Sequence, residues 1–313
     1  MQADNVLIGN APAIAPSAAQ WRVERRTCPD ARAFRDDYVR PRRPVVLTDA
    51  AEAWPIRRKP MPDYFNTIHG EHRVRVLGQE CRLADLVARL EESSAEKPGP
   101  YPCKYEIARA FRDLLPEVAP RPPLSLPDRQ RRALVPQRLF DGVNNLEIFF
   151  GGPGGRFPYL HYDVLHLHAW ITQLYGDKEF TLYAPGQEAF LYVNPDLPWQ
   201  STIRNHHSPD YARYPLLRNA RPHKLVLRRG ETLFLPCGWW HTARSLTFTI
   251  SIAFDQLGPD NWNDFRADLV AERRRAGKPL RALALGAYLH AIAPLLALGE
   301  RFGGGRARDW GSR

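Results

Sequence analysis

The chain carries only four cysteines in 313 residues, and no two of them form a C-x-x-C pair. Cys28, Cys81, Cys103 and Cys237 are spread over the whole length, which excludes a zinc ribbon and implies no disulfide framework. A reducing, cytoplasmic setting is the expectation. The first twenty residues lack a basic n-region and a long apolar run, so no secretory signal is expected there. Long apolar runs are scarce elsewhere too. The one candidate, Leu283 to Gly299, has 17 residues, contains His290 and Pro294, and has arginine on both sides. It is short and interrupted for a membrane span, and reads as a buried helix or a dimer interface. No internal repeat is visible. The net charge is +10, from 44 basic against 34 acidic residues, yet there is no helix-turn-helix, zinc-finger spacing or RNP-type aromatic motif. The basic residues fall in short scattered groups such as Arg129–Arg132 and Arg273–Arg275. A solvated basic surface explains them, and a nucleic-acid-binding scaffold is the weaker alternative.

Hydrophobic residues make up 44% and charged residues 25%, the balance of a soluble globular protein with length for one large domain or two ordinary ones. The 29 prolines imply many loops and abrupt element ends. Residues 1–20 read as a flexible Ala/Pro tail and 304–313 as a flexible Gly/Arg tail. Val45–Val46–Leu47 reads as a buried strand. Leu83, Leu86, Val87 and Leu90 fall at helical spacing, and a second amphipathic helix is predicted over KYEIARAFRDLLPEV, stopped at Pro116. From Asn144 the pattern changes to short β-rich runs broken by Gly, Pro and Asn-Asn, which suggests a sandwich or barrel. Residues 261–303 return to helix.

The stretch PYLHYDVLHLHAW crowds His161, Asp163, His166 and His168 together. In a strand, residues two apart share a face, so His161 and Asp163 aim an imidazole and a carboxylate at one point. Alone this pair is equally a surface hydrogen bond. The downstream segment GETLFLPCGWWH reads as a strand, a tight turn at Pro236 and Gly238, and His241 entering the next strand. A barrel can bring that strand beside the first. His161, Asp163 and His241 then form a two-histidine, one-carboxylate set, the facial arrangement of non-haem Fe(II) oxygenases. His166 and His168 fall on the opposite face if the strand is unbroken, and no glutamate follows them at cupin spacing, so they are set aside as primary ligands.

The ordered motifs RPVVLTDA, IFFGGPGGRFPYLHYD, TQLYGDKEFTLYAPG and HKLVLRRGETLFLPCGWWHTARSL resemble the cupin superfamily. Within it the chain is similar to JmjC-type 2-oxoglutarate oxygenases, in the cupin-like hydroxylase branch that includes the asparaginyl hydroxylase of the hypoxia response. The resemblance spans roughly residues 20 to 260. It implies a double-stranded β-helix, that is a jelly roll, with its core at about 140–256 inside an oxygenase domain over 21–260. It also implies a dimerising helical pair over 261–303. His161, Asp163 and His241 would hold Fe(II), with 2-oxoglutarate and O2 as co-substrates. Lys178, in YGDK, corresponds to a lysine that pairs with the far carboxylate of 2-oxoglutarate, and Tyr105 to a tyrosine that hydrogen-bonds it. The implied reaction hydroxylates a C–H bond of a protein side chain, peptide or small molecule and converts 2-oxoglutarate to succinate. The HxD form and the absence of a chromatin-reading module favour hydroxylation over histone demethylation. The positive charge favours an acidic protein or peptide substrate.

The chain departs from the family pattern in three places. Pro158 stands where a threonine is frequent, Ala253 where an asparagine is frequent, and two extra residues separate Asp163 from Lys178. The co-substrate pocket is therefore expected to be rebuilt, with Thr172, His168 or Tyr105 as replacements. A metal-binding cupin without turnover is the alternative. The segment Arg204 to Pro215 is read as a lid or substrate loop, with His206 and His207 exposed to solvent.

Overall fold

Among the described residues, twelve strands organise the fold: β1 (Glu24–Arg26), β2 (Val45–Leu47), β3 (Arg73–Val76), β4 (Gln79–Arg82), β5 (Cys103–Glu106), β6 (Leu146–Gly151), β7 (His168–Tyr175), β8 (Lys178–Tyr183), β9 (His223–Leu227), β10 (Thr232–Leu235), β11 (Trp240–Ser245) and β12 (Thr249–Gln256). Among the same described residues, six α-helices accompany them: α1 (Ala31–Phe34), α2 (Asp63–His69), α3 (Leu83–Glu91), α4 (Ile107–Ala110), α5 (Trp262–Arg275) and α6 (Pro279–Phe302). The computed structural model describes residues 22–141, 143, 146–302 and 310. The tails expected over 1–20 and 304–313 lie outside the described residues, apart from Trp310.

The main sheet has seven strands in the order β1-β2-β10-β7-β12-β6-β5. All neighbours in it are antiparallel except β1 and β2. Facing it is the three-stranded antiparallel sheet β11-β8-β9, and bridges at Arg156 and His161 extend its β11 edge. Two facing antiparallel sheets joined in this order make the expected jelly roll.

Alternation along the strands explains why β7 is buried on both faces. Trp170 and Leu174, with Ile250, Ile252 and Phe254 of β12, enter the core shared with the N-terminal helices, including Phe34, Phe65 and Leu86. Ala169 and Ile171 point the other way and meet Phe180, Leu182, Leu233 and Ala243 between the sheets. Each large apolar side chain so buried contributes roughly 1.5–3 kcal/mol.

Three expectations are corrected. The segment predicted as a helix over KYEIARAFRDLLPEV begins instead as β5, which pairs Tyr105 with Ile148, and continues as the short α4 and 3-10 turns. Pairing with the edge of β6 overrides the local helical pattern. Secondly, Pro294 does not interrupt the C-terminal helix. α6 runs 24 residues through it, and by length and composition alone could cross a membrane. Its Leu289, Ile292 and Leu296 nevertheless pack in one cluster with Trp262, Phe265 and Leu269 of α5. Thirdly, Trp310, in the expected tail, is buried. Its indole meets Phe254 edge-on at 4.8 Å, and its Nε1 donates to the Val118 carbonyl at 2.7 Å.

Candidate metal and co-substrate site

His161 and His241 form a reciprocal backbone pair. The His161 amide donates to the His241 carbonyl at 3.1 Å, and the His241 amide donates back at 2.6 Å. Gly238, at φ 79°, makes the left-handed turn that starts β11 at this register. The two imidazoles therefore lie side by side, with ring centroids 4.3 Å apart. Asp163 Oδ2 stands 4.0 Å from His241 Nε2. One ligand atom from each of His161, Asp163 and His241 lies within 4.8 Å of the others, and among the described residues no other group of His, Cys, Asp and Glu converges so. His241 Nδ1 is placed to donate to the Trp239 carbonyl at 3.2 Å, which leaves the Nε2 lone pair for a ligand. Phe157 stacks on His161 at 4.7 Å, a contact that sequence reasoning missed.

The electrostatics fit a cation. Burial, then the neighbouring His241, holds His161 well below the ordinary imidazole range, so it is neutral and able to ligate. Burial raises Asp163 above the usual carboxylate range, although His241 and Lys104 oppose the shift. A neutral His161 beside a carboxylate short of positive charge is what a divalent ion would complete.

Lys178 marks the opposite end of the barrel interior. It is 2% exposed, and burial pulls its ammonium down to about 7. It donates to Ser251 Oγ at 2.5 Å, and Ser251 donates on to Gln173 Oε1 at 2.8 Å. The rings of Tyr101 and Phe149 lie 5.8 Å and 5.6 Å from Nζ. Among the described residues it has no acidic partner. A buried cation without a counter-charge is an open seat for an anion. A Cβ at Gly151 would come within 2.8 Å of the Tyr101 ring, so glycine there admits the tyrosine.

The structure does not bring the other predicted residues here. Tyr105 points to the far face of the main sheet, where its ring meets Phe111 and Phe150 and its hydroxyl reaches the Arg75 carbonyl at 3.4 Å. Thr172 shares the outward parity of Trp170, and its hydroxyl pairs with that of Thr232 at 2.9 Å. His168 also faces outward, where Nδ1 accepts from the Cys237 amide at 2.9 Å and burial pulls the ring down to about 3. It is a core histidine. Ala253 does face the interior, but the hydroxyl on that face comes from Ser251, two residues earlier. Tyr101, Gln173 and Ser251, rather than Tyr105, Thr172 and His168, are the residues grouped with Lys178. His206 and His207 are partly buried rather than exposed. His206 lies 6.1 Å from Tyr183, whose ring sits outside the smaller sheet with Leu160 and Trp240, away from the triad.

The fold and site define the cupin-like class, and the comparisons agree. The chain belongs to the family described as "Cupin-like domain", whose model matches residues 31–255. It is 28% identical over 251 residues to lysine-specific demethylase JMJ30 of Arabidopsis thaliana, covering 74% of this chain and 54% of that protein. It is 26% identical over 245 residues to lysine-specific demethylase 8 of Xenopus tropicalis, covering 72% and 51%. Over 138 residues it is 30% identical to the 2-oxoglutarate and iron-dependent oxygenase JMJD4 of Gallus gallus, covering 42% and 32%. The chain spans about half the length of the first two relatives.

Proposed function

We propose that this protein is an Fe(II)- and 2-oxoglutarate-dependent oxygenase that hydroxylates a C–H bond. The observation that carries this reading is the joint presence, in one barrel, of a converging His–Asp–His set and a buried lysine with no acidic partner among the described residues. His161, Asp163 and His241 would hold the metal and leave coordination positions open. Bound iron supplies oxygen activation, with 2-oxoglutarate as the reductant that leaves as succinate and carbon dioxide. The protein's own residues do the rest. Lys178, backed by Ser251 and Tyr101, receives the far carboxylate of the co-substrate. Phe157 stacks on His161 and limits water at the ligand set.

A protein or peptide side chain is the substrate class that the relatives' names support. Glu147 and Asp255 stand diagonally across β6 and β12 on the interior face, and burial, then the Asp163 carboxylate, holds Asp255 well above the usual carboxylate range. Lys104 neutralises Glu147 at 3.0 Å, but Asp255 has no ion pair among the described residues. A buried carboxyl group beside the metal ligands, without a positive ion-pair partner among the described residues, favours a cationic substrate group, in contrast to the acidic substrate suggested by net charge. The exposed Leu280, Leu283, Leu295, Leu298 and Phe302 of α6 support a homodimer.

The test is anaerobic titration with Fe(II) and 2-oxoglutarate, following the metal-to-ligand band at about 500 nm typical of such chelates. The expected result is a band that vanishes in Asp163→Ala and needs more 2-oxoglutarate in Lys178→Ala. Metal binding without a band in the unaltered protein would favour the non-catalytic cupin.

A further inference from the structure

Directly after the candidate ligand Asp163, the backbone does something unusual. Leu165 (φ 61°, ψ 19°) and His166 (φ 48°) are consecutive non-glycine residues in the left-handed region. Such conformations persist only where surroundings over-determine them. This turn redirects the chain from the metal-ligand segment into β7.

The groups that hold the turn come largely from one place. Asp268 Oδ2, on α5, lies 2.8 Å from His166 Nδ1. Asn261, fully buried at the start of α5, donates from Nδ2 to the His166 carbonyl at 2.8 Å. Its Oδ1 is fixed in turn by the Gly258 amide at 2.7 Å. Leu165 packs against the apolar cluster that includes α5, and the Tyr162 ring lies 4.8 Å from His166. The match to the cupin-like domain ends at residue 255, so Asn261 and Asp268 both lie beyond it.

We propose that Asp268 and Asn261 are positioning residues for the metal centre, holding the Asp163 carboxylate on target through the left-handed turn at Leu165 and His166. The C-terminal helix α5 is thereby part of the site's support. This rests on the reading of His161, Asp163 and His241 as metal ligands.

The test uses the full chain and Co(II) or Mn(II) as air-stable probes, comparing affinity in the unaltered protein, Asp268→Ala, Asp268→Asn and Asp163→Ala. Asp268→Ala is expected to weaken metal binding about tenfold, the scale of lost outer partners. Asp268→Asn restores most of it, because its Oδ1 still accepts from His166 Nδ1–H. The melting temperature of the metal-free protein changes little, since the pair is partly exposed. Hydrogen exchange quickens at residues 164–167 in Asp268→Ala, while β11 keeps its protection. Affinity within twofold of the unaltered protein in Asp268→Ala, with the expected loss in Asp163→Ala, overturns the positioning role alone. Unchanged affinity in Asp163→Ala sinks the ligand reading itself. Should Asp268→Ala not fold, Asp268→Asn decides: affinity and exchange at 164–167 that stay near normal together, or weaken and quicken together at unchanged metal-free stability, support the proposal, whereas near-normal affinity despite faster exchange there, or affinity lost only along with metal-free stability, overturns it.

Discussion

On one face of β7, His168, Trp170 and Thr172 are buried against the N-terminal part of the chain. On the other, Ala169, Ile171 and Gln173 look into the space between the sheets. Both faces carry polar groups. Most of the outward ones are paired within the protein: His168 Nδ1 accepts from Cys237, although its Nε2 has no partner among the described residues, Thr172 pairs with Thr232, and Trp170 Nε1 donates to Gln256 at 2.8 Å. Beside the inward face, Lys178 of β8 and Asp255 of β12 have no ion pair among the described residues. Buried polar groups are normally paired, so the side that leaves charges open is the side prepared for something else. On the proposed reading, the same sheet serves folding on one face and chemistry on the other.

Removing an inward ligand has the largest expected effect. Asp163→Ala or His241→Ala abolishes metal binding and any 2-oxoglutarate consumption while the fold persists by circular dichroism; turnover surviving in both would collapse the distinction between the faces. An outward core change should do the reverse. Trp170→Ala is expected to cost about 3–5 kcal/mol of stability in denaturant unfolding. Lys178→Ala follows, raising the 2-oxoglutarate concentration for half-saturation about 10–100-fold, the worth of a hydrogen bond to a charged group. Thr172→Val and Tyr105→Phe, by contrast, should leave that concentration within about twofold. A tenfold change in either would mean that co-substrate binding reaches through the sheet.

A graded effect is expected with pH. The folded protein holds Lys178 near 7, below its unfolded value of 10.5. Between these values the unfolded chain binds the extra proton, so this group makes the ligand-free protein more stable as pH rises from about 7 toward 10.5. Co-substrate binding needs the charged form, so 2-oxoglutarate affinity should weaken above pH about 7, by up to tenfold per unit. Lys178→Arg should flatten that dependence, because a guanidinium keeps its proton. Isothermal titration across pH 6.5 to 8.5, or about that range, measures it.

The triad was legible because period two puts His161 and Asp163 on one face, and the Pro-x-Gly turn delivers His241 beside them. Lys178 was legible through the resemblance. Thr172 and His168 were misplaced although the signal existed: Trp170 is so apolar that its face must be the core, and both residues share its parity. Tyr101 was missed for a different reason. The residues after it have helical periodicity, and only the long-range pairing of β5 with β6 makes them a strand. The turn at Leu165 and His166 left no sequence signal either, since neither residue favours positive φ and its supports lie some 95 to 102 positions away.

The reciprocal backbone pair of His161 and His241 has a consequence for the life of the protein in a cell. A metal ion shared by these two side chains would rivet a seam that two peptide hydrogen bonds otherwise close. Its binding free energy would then add to the resistance against unfolding, about 2.7 kcal/mol when free metal exceeds the dissociation constant a hundredfold. Copies made during metal scarcity would open more often and be cleared sooner by proteases. The amount of this protein would then follow the metal supply without any regulator of its synthesis.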